Sequence, residues 1–417
     1  MLRLVIASLL AGCAAESVTD LGEIDQAVSL TFTREHVVAD IYHYTATVPV
    51  GTQPNAALRI HRIVREVAPF VPRRTPHAAM LLHGDFATFI TNFAPTLGNP
   101  TSPAPGLAPY LAAQNIDVWG VDRRWTLPAP DDDVSDLGEM TVAQELDDLR
   151  LALGLARIAR VSSERLALVG FSHGAQLAYI YASVEAARPA WQRHVDAIVP
   201  LDWYGGFGPD QTDLRATTCE VAAAEYEAAA AGVTDSTNDF AITLGQLALD
   251  APDDPSPFNP ARTNRQVMLR YAAQTYVFGT LSPTYHFLAG VNGANGLPTG
   301  LSATSEAAAA AWLAGAPLHE PMIEDGDFNA QLCGDGTTPI DAPLSRIHVP
   351  LFYIGAAGGT GEGGLPATTQ VSSSDVTTLV VSVTDDVLTD YGHADLLYAD
   401  DAPSRVWLPL ATWLAHH

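Results

Sequence analysis

The sequence predicts an α/β domain: a mostly parallel sheet covered on both faces by helices and interrupted by one long helical insertion. Three observations predict it. Short apolar runs alternate with stretches of helical spacing as far as residue 201. The alternation gives way to Ala-rich text from 203 to 344 and then resumes. A Gly-x-Ser-x-Gly run stands between one apolar run and the next helix. Parallel strands read as continuous apolar runs because helices cover both of their faces.

The elements follow in order, beginning with a tether and a first strand over residues 14 to about 30. Val37, Val38, Ile41 and Tyr44, then Ala57 to Val64, suggest two strands around a turn containing Gly51. Ala78 to Leu82 is wholly apolar and runs into His83-Gly84. Ile116, Val118, Trp119 and Val121 form a strand ending before Asp122. Val142, Leu146, Leu149, Leu153 and Leu155 recur near helical spacing through Ile158, and Thr141 can cap that helix. Leu166 to Val169 is a buried strand, Ala175 to Ala187 a helix, and Ala197 to Leu201 a further strand. Within the insertion, Ala222 to Ala231 and Ala307 to Ala311 are the clearest helical stretches. Val349 to Ile354 and Thr377 to Val383 read as strands, and Val406 to Leu414 as a closing helix. Gly355 to Gly364 has neither pattern and reads as a loop. There is no internal repeat.

The chain has 417 residues, with 47 acidic and 21 basic side chains and a formal net charge of −26. Such a surface repels phosphate backbones and anionic head groups, so nucleic acid is excluded as a partner. At the N-terminus, Arg3 precedes an apolar run from Leu4 to Leu10, too short to span a bilayer and ordered like a secretory signal peptide. Leu10-Ala11-Gly12-Cys13 resembles the bacterial lipobox. That resemblance implies export, cleavage, and lipidation of Cys13, so the membrane is met only through an N-terminal anchor. Ala14 in place of Asp implies outer-membrane sorting by the same resemblance. Cys219 and Cys333 remain; they either form one disulfide, as export permits, or stand as two buried thiols. Neither has Cys or His at zinc-ligand spacing and no His-Glu-x-x-His run exists, so no metal site is expected.

The chemistry centres on Gly170-Phe171-Ser172-His173-Gly174. A sharp strand-to-helix turn would hold Ser172 in a strained conformation, and side chains at its neighbours would collide there. The helix start aims backbone N–H groups, that of His173 first, at developing negative charge. A serine hydroxyl needs a base, and His393 in Tyr391-Gly392-His393-Ala394-Asp395 follows the last strand and precedes the last helix. His43 and His61 fall in early strands, and His416 and His417 end the chain.

These landmarks resemble the α/β-hydrolase superfamily over residues 75 to 201 and 345 to 417: His83-Gly84 after an early strand, the Ser172 elbow, a long insertion, and the Gly392-His393 loop. Gly392 to Leu397 followed by Val406-Trp407-Leu408-Pro409 is similar to the ending of acid lipases and polyester-processing members. The resemblance implies Asp85 as the second oxyanion donor. A carboxylate there would oppose an oxyanion, so either its side chain points away or Phe86 supplies the N–H. It implies an orienting acid in the loop after the strand that follows the insertion. There the loop 356–362 offers only Glu362, which is the first choice, with Asp202 at the end of the preceding strand as the alternative. Asp375, Asp385 and Asp386 read as solvated.

The organisation expected is a signal peptide (1–12), a tether (13–30), a first core segment (31–202), a helical cap (203–344) and a second core segment (345–417). Trp203, Tyr204, Phe207, Tyr271, Tyr276, Phe278, Tyr285, Phe287 and Trp312 either line a pocket or pack the cap onto the core. A bridge between Cys219 and Cys333 would restrain that cap. The activity expected is ester hydrolysis on a small or lipid-like substrate, without a cofactor. Peptidase or acyltransferase chemistry uses the same machinery, and a non-catalytic cell-surface binding protein on this fold is the alternative of another class.

Overall fold

The computed structural model describes residues 31–98, 106–160, 164–275, 282–334 and 340–417. The signal segment, Cys13, the tether, Tyr276 and Phe278 lie outside the described residues.

The centre is a ten-stranded sheet. Its principal strands are β1 (Thr31–Val38), β2 (Ile41–Pro49), β3 (Ala57–Ala68), β4 (Ala78–Leu82), β5 (Asp117–Asp122), β6 (Leu166–Phe171), β7 (Val195–Leu201), β8 (Leu351–Ala356) and β9 (Val376–Val381). The spatial order is β1-β2-β3-β5-β4-β6-β7-β8-β9, with the short pair Val71–Pro72 joined to β3. β1, β2 and β3 are antiparallel, β3 meets β5 antiparallel, and every later pairing is parallel. Residues 31–68 thus hold three strands; of the expected elements, the first strand before residue 30 lies outside the described residues, and the stretch from Val37 to Tyr44, expected within one strand, is divided between β1 and β2. β1 and β2 are joined through Ala39 at φ 51°, a tight turn without the Gly or Asn that usually signals one.

The principal helices are α1 (Leu107–Ala113), α2 (Val142–Ala159), α3 (His173–Ala186), α4 (Thr212–Ala230), α5 (Asp239–Asp250), α6 (Asn264–Ala273), α7 (Glu306–Ala314), α8 (Met322–Cys333) and α9 (Leu408–Leu414). Thr141 caps α2 as expected, its hydroxyl accepting from the Gln144 N–H at 3.3 Å.

Period-two alternation divides the core between the faces of the sheet. Ala79, Leu81, Ala167 and Val169 join Phe89, Leu111 and Trp407 on one face. Ala78, Met80, Leu82, Leu166 and Leu168 join Leu149, Leu153 and Tyr179 on the other. Burial on both sides explains why β4 and β6 show no polar alternation in sequence.

Between β7 and β8 the chain leaves the sheet and, among the described residues, builds α4 to α8 with three small two-stranded ladders. Cys219 in α4 and Cys333 in α8 are bridged, a closed loop with a sequence separation of 114. β7 and β8 are nonetheless parallel neighbours, with Ile354 paired to Leu201. The residues that leave β7 and those that follow β8 therefore lie side by side.

Candidate active site

Ser172 links β6 directly to α3 at φ 57° and ψ −130°, a conformation that L-residues rarely adopt. Its N–H is held by the Leu201 carbonyl at 3.1 Å, and its carbonyl receives the Ala175 N–H at 2.7 Å. The flanking glycines are required sterically. A Cβ on Gly170 would lie 2.0 Å from the Gly174 carbonyl oxygen, and one on Gly174 would lie 2.3 Å from that of Leu82. Ser172 is half-buried at the sheet's C-terminal edge.

His393 is buried, and its ring stacks on Phe171, the residue before Ser172, with centroids 4.5 Å apart. Its loop is pinned to a segment in the middle of the excursion. The His393 N–H donates to the His286 carbonyl at 3.0 Å and the Ala394 N–H to that of Phe287 at 2.7 Å. Asp395 ties the same parts together: its carboxylate accepts from the N–H groups of Gly392 and Ala289 at 2.8 and 2.6 Å and from the Thr304 hydroxyl at 2.6 Å. The sequence reading gave Asp395, His286 and Thr304 no role, because their partners are about a hundred residues away.

The carboxylate that meets His393 is Asp202. Its Oδ2 lies 2.7 Å from His393 Nδ1. Asp202 is fully buried at φ 50°, and it accepts N–H bonds from Ala356 at 2.8 Å, Thr360 at 3.0 Å and Gly361 at 2.8 Å. The preference for Glu362 is corrected here. Glu362 is exposed and lines an open groove with Tyr204, Asp210 and Gln211. The Gly-rich loop thus supplies N–H donors to an acid on the preceding strand rather than an acid of its own. A Cβ at Gly359 would stand 2.0 Å from Asp202 Oδ2.

The two candidate oxyanion donors on the His83-Gly84 loop differ in what they do. Phe86, at φ 55°, gives its N–H to Glu320 Oε1 at 2.6 Å, so that donor is already engaged. The Asp85 side chain turns toward His173, with Oδ2 2.6 Å from His173 Nδ1, and lies 3.8 Å from Arg123. Burial alone would push the Asp85 carboxyl up; the His173 imidazole and the Arg123 guanidinium outweigh it and hold the group below its ordinary range. His173 opens α3, where the first N–H groups have no intrahelical acceptor.

Arg123 is buried and its Nη1 meets Glu324 Oε1 at 2.7 Å, with its guanidinium 4.6 Å above the Trp125 ring. Burial first, then the neighbouring Asp85, pushes the Glu320 carboxyl up to about 7. Around His393 stand the rings of Tyr285, Trp203 and Phe287 at 5.5, 5.8 and 6.5 Å. Phe287 also packs on Tyr271 and Trp312, so these aromatics both face the imidazole and join the excursion to the core.

A nine-strand path with an antiparallel start, a parallel remainder, an elbow after β6 and a histidine loop after β9 defines the α/β-hydrolase fold. Among solved structures, the chain is similar to a Sulfolobus solfataricus protein provisionally described as a lipase: 14% identity, TM-score 0.62, 93% of this chain and 99% of that one. A soluble variant of the monoglyceride lipase from Saccharomyces cerevisiae aligns at 12% identity and TM-score 0.45 over 95% and 98% of the two chains. An α/β-hydrolase fold protein from Chitinophaga pinensis aligns at 9% and 0.40 over 93% and 98%. No protein-family model matches the sequence. No curated protein matches it either.

Proposed function

We propose that this protein is a serine hydrolase that cleaves carboxylic esters through an acyl-enzyme. The observation that carries the reading is the Asp202–His393 contact of 2.7 Å beside a strained elbow serine. Asp202 directs the imidazole and stabilises its charged form; His393 takes the Ser172 proton as the oxygen attacks the carbonyl carbon. The oxyanion forms against the N–H groups of His173 and Asp85, since that of Phe86 is engaged by Glu320. His393 then protonates the leaving alkoxide, and water, deprotonated by the same imidazole, clears the acyl group from Ser172. No cofactor enters the scheme.

Residues 203–344 act as a cap whose aromatic rings, Trp203, Tyr285 and Phe287 among them, offer an apolar wall to the acyl part of a small or lipid-like ester. Export with a lipid anchor on Cys13 is part of the same proposal. Mass spectrometry of the N-terminal peptide of membrane-extracted protein tests it, and an unmodified Cys13 would remove it.

The test of the activity is labelling by a fluorophosphonate probe, with the modified peptide sequenced, alongside turnover of p-nitrophenyl esters and aminoacyl amides. Labelling at Ser172 with ester turnover supports the reading. Amide turnover alone would replace it by a peptidase, and no labelling of folded protein would favour a binding role.

A further inference from the structure

We propose that Asp85, His173 and Asp325 form a binding site for a divalent transition-metal ion next to the elbow. The three come from separate parts of the chain: the loop after β4, the first residue of α3 and the first turn of α8. Their ligand atoms all lie within 4.8 Å of one another. Two ligands on an ion at about 2.0–2.2 Å stand no further apart than about 4.4 Å, so closure on a common ion needs only small side-chain adjustments.

The group is more than a patch of acids, because its central member is a buried imidazole held in place by its neighbours. His173 is 8% exposed, yet its Nδ1 makes no hydrogen bond among the described residues. Nδ1 lies 2.6 Å from Asp85 Oδ2, so the imidazole already faces one carboxylate of the group, and the Asp325 carboxylate stands within 4.8 Å of both. The ring cannot turn away easily, being stacked on Phe328 at 4.9 Å and met edge-on by Trp203 at 5.2 Å.

Charge points the same way. Asp85, Asp325, Glu320 and Glu324 surround this corner, against the Arg123 guanidinium that Glu324 already takes up. Asp85 and Asp325 are partly buried but keep an edge open to solvent, by which an ion can enter and keep water in its remaining positions. An imidazole nitrogen with two carboxylate oxygens suits Zn2+ or Mn2+ better than Ca2+, which prefers oxygen alone.

The site has a consequence that rests on the serine-hydrolase reading, although the binding itself does not. Asp85 and His173 are the two residues whose N–H groups face the proposed oxyanion. An ion on their side chains would offset the nearest carboxylate and hold both residues in place.

Equilibrium dialysis of the purified full chain against Zn2+, Mn2+ and Ca2+, read by elemental analysis, tests the site. The expected result is about one Zn2+ or Mn2+ per chain, with Ca2+ weaker. Asp85→Asn and Asp325→Asn should each weaken Zn2+ binding about tenfold or more, and the exposed Asp375→Asn should not. Asp325 keeps some contact with solvent, so Asp325→Asn serves if Asp85→Asn does not fold. No saturable binding, tighter Ca2+ than Zn2+, or undiminished binding in Asp325→Asn would overturn the site. Fluorophosphonate labelling of metal-free protein reports on Ser172 separately, so loss of either conclusion is distinguishable from loss of the other.

Discussion

Asp202 Oδ2 and His393 Nδ1 stand 2.7 Å apart although 191 residues separate them in the chain. The contact exists because β7 and β8 are parallel neighbours, which sets the end of β7 beside the Gly-rich loop that follows β8. That loop lends three N–H groups to the Asp202 carboxylate, leaving one corner of Oδ2 for the imidazole.

Asp202→Asn should lower turnover of a p-nitrophenyl ester by about 10,000-fold, since an amide can no longer hold the imidazole in the tautomer that accepts the serine proton. Glu362→Gln should retain activity within about twofold, being exposed and removed from the imidazole. The reverse order of the two effects would restore Glu362 as the acid.

Gly359→Ala tests the cradle without touching a reacting group. The added methyl would meet Asp202 Oδ2 at 2.0 Å and the His393 Cα at 3.0 Å. Either the carboxylate or the loop must shift, so kcat should fall at least about a hundredfold with circular dichroism unchanged. Wild-type kcat in this variant would show that the loop gives way freely.

Breaking the Cys219–Cys333 bridge, which closes a loop with a sequence separation of 114, should cost about 2–4 kcal/mol. The double variant Cys219→Ala/Cys333→Ala, unfolded in urea beside the oxidised wild type, measures it. Equal midpoints and slopes would show that α4 and α8 hold together by packing alone.

Arg123→Met should destabilise the fold by about 3–5 kcal/mol, because Glu324 would be left buried without the cation it meets at 2.7 Å. Urea unfolding gives the number. A loss below about 1 kcal/mol would mean that Glu324 is protonated in the folded protein and needs no cation.

Glu145 sets a pH dependence. Burial pushes its carboxyl from 4.5 up to about 7, with Arg123 and Arg124 opposing and Asp148 adding to the rise. A carboxyl whose folded pKa lies above its unfolded value binds more protons when folded. Its contribution is therefore full below the unfolded value and is lost as pH rises toward 7. Melting temperature should fall less between pH 5 and about 8 in Glu145→Gln than in wild type. Parallel curves would place the titration elsewhere.

The features legible in the amino-acid order are local. Apolar runs and helical spacing defined β4, β6, β7 and α2, because burial on both faces and a capped amphipathic helix each leave a short-range pattern. The elbow was equally legible, since a strained serine needs small neighbours at fixed offsets and Gly170 and Gly174 supply them. The division between β1 and β2 was missed because their turn, Ala39-Asp40, places Ala39 at φ 51° without the Gly or Asn that usually signals that conformation.

Which groups meet depends on the folded layers. Glu362 and Asp202 are both acids beside strand ends, and nothing local separates them; the parallel pairing of β7 with β8 does. The Asp85, His173 and Asp325 group carries no ligand spacing, being drawn from three segments that only the folded sheet and the excursion bring together. Covalent neighbours constrain backbone conformation over a few residues. Contacts across a hundred or more are chosen by how the layers pack, and there the chemistry of this protein was settled.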